Sequence, residues 1–200
     1  KTEAVQAAVI GVLLLGENLA ALSWLGIAIG VGGVLYLSLA GRGTSPGELL
    51  RGLTQPAALC GMGAGFCFAF TSVMIRAANQ DMPGDALIHK ALLLLVVTNT
   101  LQTLMQGSWL VWKEPTSVRA VFASWRSSAQ VGALSALGSA CWFSAFALAP
   151  VALVRAVGQV EILFTLAFSR FFLKEKARRA DTLGALVVVA GVVLVLLGSV

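Results

Sequence analysis

Carboxylates, amides and one guanidinium interrupt the apolar runs of this chain, and they are the side chains that could do chemistry. Glu161 lies inside VGQVEILFTLAF (157–168), eleventh in an apolar stretch spanning 151–173. At ~1.5 Å of rise per residue, that depth is close to the midplane of a bilayer. An ionised carboxylate there costs about 3 kcal/mol on insertion scales, so it is expected to face a bundle interior or a wet cavity. Two roles fit it: carrying a proton, or serving as a hydrogen-bonded or ion-paired acid between helices. Glu3 sits in a similar run, KTEAVQAAVIGVLLL (1–15), and has the same two readings. Arg155 and Gln159 are four apart and share a helix face. Arg155 either holds an anionic group or snorkels to the interface. It is six residues from Glu161, about 240° around a helix, so a direct pair between them within one helix is poor. Gln6 and Gln159 are candidate hydrogen-bonding groups in a cavity. Asn99, Gln102 and Gln106, at i, i+3 and i+7, form a polar stripe that lines a cavity or joins helices. Trp142 lies mid-run and either stacks on a substrate ring or packs.

These residues need elements that hold them in a membrane. The chain is 58% hydrophobic and 12% charged, against about 25% charged in soluble domains. A soluble fold of 200 residues could not cover that much apolar surface. Long apolar runs between short polar loops predict an all-α, polytopic transmembrane bundle. Seven spans are expected, at about 1–16, 20–40, 56–78, 87–112, 129–149, 151–173 and 182–198. Trp24, Trp109, Trp112 and Trp125 fall near span ends, as an aromatic belt does. Residues 115–128 place Val118, Val121, Phe122 and Trp125 at helical spacing, flanked by Arg119 and Arg126; a short interfacial helix or a plain loop fits. Glu17 and Glu175 sit just past span ends, and contact with the next helix start is expected. Cys60, Cys67 and Cys141 are isolated in apolar runs, without the spacing of a metal or redox motif. No cofactor, metal or nucleic-acid partner is expected. The net charge of +5 fits basic loops that set orientation.

The chain also repeats itself. Displaced by 158 positions, its ends align without a gap and share nine identities over 42 positions. These include Glu3 with Glu161, Glu17 with Glu175, Leu25-Gly26 with Leu183-Gly184 and Gly33-Val34 with Gly191-Val192. Matched glutamates weigh most, because the chain holds only nine acidic residues. The copies are five spans apart, an odd number, so they are expected to cross the membrane in opposite directions. Inverted repeats of this kind characterise secondary transporters. A five-plus-five protein of ten spans follows, of which this chain, starting at Lys1 within a span, carries seven. Residues 1–42 would be the last two helices of the first repeat, 43–55 a linking loop, and 56–200 the whole second repeat.

The segments LLLGENLAALSWLGIAIGVGGVL (13–35), FFLKEKARRADTLGALVVVAGVVLVL (171–196) and FALAPVALVRAVGQVE (146–161) resemble the ten-helix EamA-type branch of the drug/metabolite transporter superfamily. The resemblance implies an inner-membrane, multi-pass secondary carrier with a central cavity. It specifies the family, not the substrate. Expected substrates are small metabolites or amphipathic drugs, carried by alternating access, with protons as a candidate coupling ion. An uncoupled exchanger or facilitator of the same fold, and a non-transporting partner subunit, are the rival readings. An intramembrane enzyme is disfavoured, because the one histidine, His89, sits at a span edge. Loop charges place nine basic residues on one side and three on the other. By that count the C-terminus is outside, whereas the family resemblance implies cytoplasmic termini.

Overall fold

A computed structural model of the chain describes residues 3–39, 55–174 and 179–199. Among these, the regular structure is helical: α1 Glu3–Leu15, α2 Ala21–Leu39, α3 Pro56–Asp81, α4 Leu87–Lys113, α5 Pro115–Ala123, α6 Trp125–Leu148, α7 Val151–Gly158, α8 Glu161–Phe171 and α9 Arg179–Leu197. Four stretches are long and apolar enough to cross a membrane: Ala58–Asp81, Leu87–Lys113, Trp125–Leu148 and Val151–Phe171. Three shorter apolar helices occupy the other expected spans. Proline stands at the first position of α3 and α5, where its missing N–H costs no helical bond.

Two compact units make up the described chain. The first unit contains Lys1–Met74 and Ala149–Val200. Its core gathers Ala4, Ala8, Ile27, Val31, Ala152, Ala156 and Val195 from α1, α2, α7 and α9. The closest packing within it is α2 against α9. Ser23 Oγ donates to Val195 O at 3.4 Å. A methyl group on Gly26 would meet Gly191 O and Val195 N, each at 2.6 Å, and one on Gly33 would meet Val188 N at 3.0 Å. Partner numbers fall as α2 numbers rise, so the two helices run antiparallel. Gly30 and Gly191 meet at the centre, where backbone lies on backbone.

The second unit spans Ile75–Leu148. Ala91 and Leu95 of α4 pack on Phe143 of α6, with Ile75, Leu94, Ala140 and Ala147 around them. Residues near the start of α4 therefore meet residues near the end of α6, which makes an antiparallel hairpin. Helix α5 bridges the other end, joined to α4 through Glu114 and to α6 through Ser124. The helix expected within 115–128 is thus present as α5, while Trp125 and Arg126 belong to α6.

One expected span is not a single helix. The 151–173 stretch breaks at Gln159-Val160, between α7 and α8. Gln159 (φ −61°, ψ −15°) and Val160 (φ −58°, ψ −21°) hold 3₁₀-like dihedrals. The amides of Gln159, Val160, Ile162 and Leu163 each bond the carbonyl three residues back. Hydropathy averaged over the whole 151–173 stretch does not register so local a break.

Candidate functional site

The site in the first unit is built on one face of α3. Met62, Gly65, Phe68 and Ser72 follow one another at three- and four-residue steps, which puts them on one face. Helix α1 lies on the first half of this face. Gln6 Nε2 donates to Met62 O at 3.4 Å. The absent side chain of Gly65 leaves room for Gln6 and Glu3; a methyl group there would lie 3.0 Å from Gln6 Oε1 and 3.9 Å from Glu3 Cβ.

Arg155 of α7 reaches the second half. Its Nε donates to Ser72 Oγ at 3.1 Å, and its Nη2 donates to the same oxygen at 2.5 Å and to Phe68 O at 3.3 Å. Ser72 is buried and spends its own proton on Phe68 O at 2.7 Å. That leaves the lone pairs of its hydroxyl for the guanidinium. The other edge of the guanidinium, at Nη1, stands 3.9 Å from Glu3 Oε2. The two side chains are 13% and 28% exposed. An inward-facing, largely buried arginine is not snorkelling, so that reading is corrected. Its partners lie on other helices, as helix geometry required. Glu161 also acts on it electrostatically, more weakly than Glu3.

Glu3 is the first described residue of α1, and Glu161 opens α8. The side chain of Glu161 is exposed. Gln159 sits in the α7–α8 turn with its Oε1 directed at Gly30, 3.1 Å from where a methyl group would stand. The Oε1 atoms of Gln6 and Gln159 are buried without a hydrogen-bond donor among the described residues. Glu3, Gln6, Arg155 and Gln159 thus belong to one unit and meet the glycine-bearing faces of α2 and α3.

Trp142, Asn99 and Gln102 belong to the second unit. Trp142 packs on Phe146, with ring centroids 5.6 Å apart. Asn99, Gln102 and Gln106 are exposed, although helix periodicity puts them on the α4 face that carries Ala91 and Leu95, further along the helix. Glu17 does contact a helix start, though not that of α2: its Oε1 accepts the Val151 N–H at 3.4 Å, at the first turn of α7. Its repeat mate Glu175 lies outside the described residues.

Sequence reasoning missed three polar residues of α3. Ser72 was the key one, and its seven-residue spacing from Gly65 was the available signal. Arg76 donates from Nη1 to Phe146 O at 2.8 Å, covering a carbonyl in the last turn of α6. Asn79 is 1% exposed, and both its amide atoms lack hydrogen-bond partners among the described residues. Among the described residues no set of three or more His, Cys, Asp or Glu could hold a metal ion.

Four apolar stretches of spanning length describe a membrane protein. A model of the EamA-like transporter family matches residues 55–197. The chain belongs to that family. It is accordingly a multi-pass membrane protein of a family of transporters. No curated protein and no solved structure matches the chain.

Proposed function

We propose that this EamA-like protein is a secondary carrier of small metabolites or amphipathic drugs in the cell (inner) membrane, working by alternating access. The observation that carries the reading is the Arg155–Glu3–Ser72 cluster, a charged group held between α1, α3 and α7 inside apolar helices. Charges at such depth are retained where a substrate or ion passes. In this reading Arg155 and Glu3 form the binding centre, Gln6 and Gln159 offer acceptors beside it, and Glu161 carries a coupling proton. Trp142, Asn99 and Gln102 are further candidates for the substrate pathway.

The architecture behind it is an inverted repeat, residues 1–42 being the end of one copy and 56–200 the whole of the other. Three structural coincidences at the 158-residue offset support this. Helices α2 and α9 fall on each other at that offset. Gly16 (φ 62°) and Lys174 (φ 53°) hold equivalent left-handed positions after their helices. The Gly30–Gly191 and Gly33–Val188 contacts map onto each other, as a twofold axis between α2 and α9 requires.

Proteoliposomes of the full chain, loaded with a pH dye and offered a panel of labelled amines, amino acids and amphipathic drugs, test the mechanism. Substrate-dependent proton movement that is lost in Glu161→Gln, with exchange retained, is the expected result. Uptake without any proton movement in the unmodified protein would instead favour an exchanger or facilitator, and no uptake at all a non-transporting subunit.

A further inference from the structure

The end of the second unit where α5 joins α4 to α6 carries a feature that transport does not use. Helix α5 has no buried residue. At 100° per residue, Val121, Val118 and Phe122 cover an arc of about 100°, and Arg119 stands about 60° beyond Phe122. Val121 and Phe122 are 55% and 73% exposed. On the adjoining helix ends, Lys113 Nζ lies over the Trp112 ring at 4.5 Å, and the Arg126 guanidinium faces the Trp125 ring at 5.7 Å. Both rings are themselves exposed. Three cations therefore surround an apolar stripe and two tryptophans. The one carboxylate among them, Glu114, stands at the N-terminus of α5 and accepts from Ser117 Oγ at 3.1 Å.

We propose that the α4–α5–α6 end is a docking surface for the headgroups of anionic phospholipids. Val118, Val121 and Phe122 enter the acyl boundary, and Trp112 and Trp125 lie at headgroup depth. Lys113, Arg119 and Arg126 then meet lipid phosphates from three sides. The division of labour follows that of interfacial amphipathic helices. Charge selects the lipid: three cations against one carboxylate leave a surplus that a zwitterionic headgroup does not match. Each basic residue near an anionic surface is worth about 1 kcal/mol, or about fivefold in association. The surface is independent of what the protein carries.

The test uses the full chain in nanodiscs of phosphatidylcholine with about a third phosphatidylglycerol, and spin-labelled versions of each lipid. The fraction of label immobilised on the protein gives a selectivity for phosphatidylglycerol. Arg119→Gln is expected to lower that selectivity several-fold, toward the fivefold limit. Arg170→Gln, the same charge change on α8, is expected to leave it unchanged. Equal loss in both variants, or in neither, would overturn the proposal. Amide exchange of the unmodified protein is a second arm that needs no variant. Residues 115–123 should exchange several-fold more slowly in discs containing phosphatidylglycerol than in phosphatidylcholine alone, and equal rates overturn the proposal. Loss of the selectivity on adding millimolar glycerophosphate would assign the site to free phosphate and likewise overturn it.

Discussion

Adding one methyl group at Gly191 is the sharpest test of the α2–α9 crossing. A Cβ there would stand 2.5 Å from Gly30 N, 2.6 Å from Gly30 Cα and 2.7 Å from Gly26 O. All three are backbone atoms, so no side chain can swing aside. Carbon contacts are comfortable at ~3.5–4.0 Å, so the helices must part by about 1 Å. That loosens Ile27, Val34, Val188 and Val195, the fully buried side chains along the seam. Overpacking of this kind costs about 1–3 kcal/mol, and the better helix propensity of alanine returns at most about 1 kcal/mol. Gly32 is the internal control, because a methyl group there meets nothing within 4 Å. Gly32→Ala should be neutral or stabilising by up to about 1 kcal/mol. The two variants should therefore differ by roughly 1–3 kcal/mol, with Gly191→Ala the weaker. Reversible unfolding in mixed micelles, followed by tryptophan fluorescence, reads the difference. A Gly191→Ala protein as stable as Gly32→Ala would refute the backbone-on-backbone crossing.

Three further outcomes follow from the same geometry. Glu17→Ala removes the acceptor for the Val151 N–H and should cost about 1 kcal/mol, whereas Glu17→Gln, which keeps an acceptor, should cost less; micelle unfolding separates them. At the left-handed positions the same comparison runs in opposite directions: Gly16→Ala should destabilise by about 1 kcal/mol, and Lys174→Gly should stabilise by up to about that amount, as thermal unfolding of each will show. Ser72→Ala leaves two guanidinium donors of Arg155 without their acceptor, which should cost about 1.5–3 kcal/mol and disturb transport, and Ser72→Thr should restore both; equal stability of the alanine variant would show that Arg155 does not depend on the hydroxyl.

How much of this was legible in the sequence depended on the kind of signal. Hydropathy located the spans because burying or lipid-coating an apolar run is a property of composition. The 158-residue offset related α2 to α9 as copies of one repeat, but it did not say that the two pack on each other through Gly30 and Gly191. Glu3, Gln6, Arg155 and Gln159 were found as polar residues that apolar surroundings penalise. Their partners were not found. Arg155 bonds Ser72 across 83 residues of sequence, and nothing local marks a serine as an acceptor rather than a packing residue. The same holds for Glu17, whose partner at α7 is 134 residues away. The stripe at Asn99 and Gln102 was read correctly as one face, but periodicity does not say which face of a helix meets its neighbour. Nor does it say how far along a face the neighbour reaches: Phe143 covers Ala91 and Leu95, while the amides further along the same face are exposed.

The break between α7 and α8 explains the carboxylate in the apolar stretch better than depth alone does. Were 151–171 one helix, Arg155 and Glu161 would both be interior charges with no preferred end. With the helix divided, Arg155 falls in the last turn of α7 and Glu161 in the first turn of α8. Those are the ends where a cation and an anion complement the helix dipole. Each half-helix then carries the charge its own terminus favours, and Ser72 and Glu3 hold the cation from other helices. Glu161 is therefore both a helix-terminal charge and the exposed acid nearest to Arg155 along the chain. Neutralising Glu3 would remove the counter-charge that stands 3.9 Å from Arg155. The two glutamates that the repeat relates thus have different surroundings: Glu3 stands beside the Arg155 guanidinium, and Glu161 lies exposed at the start of α8.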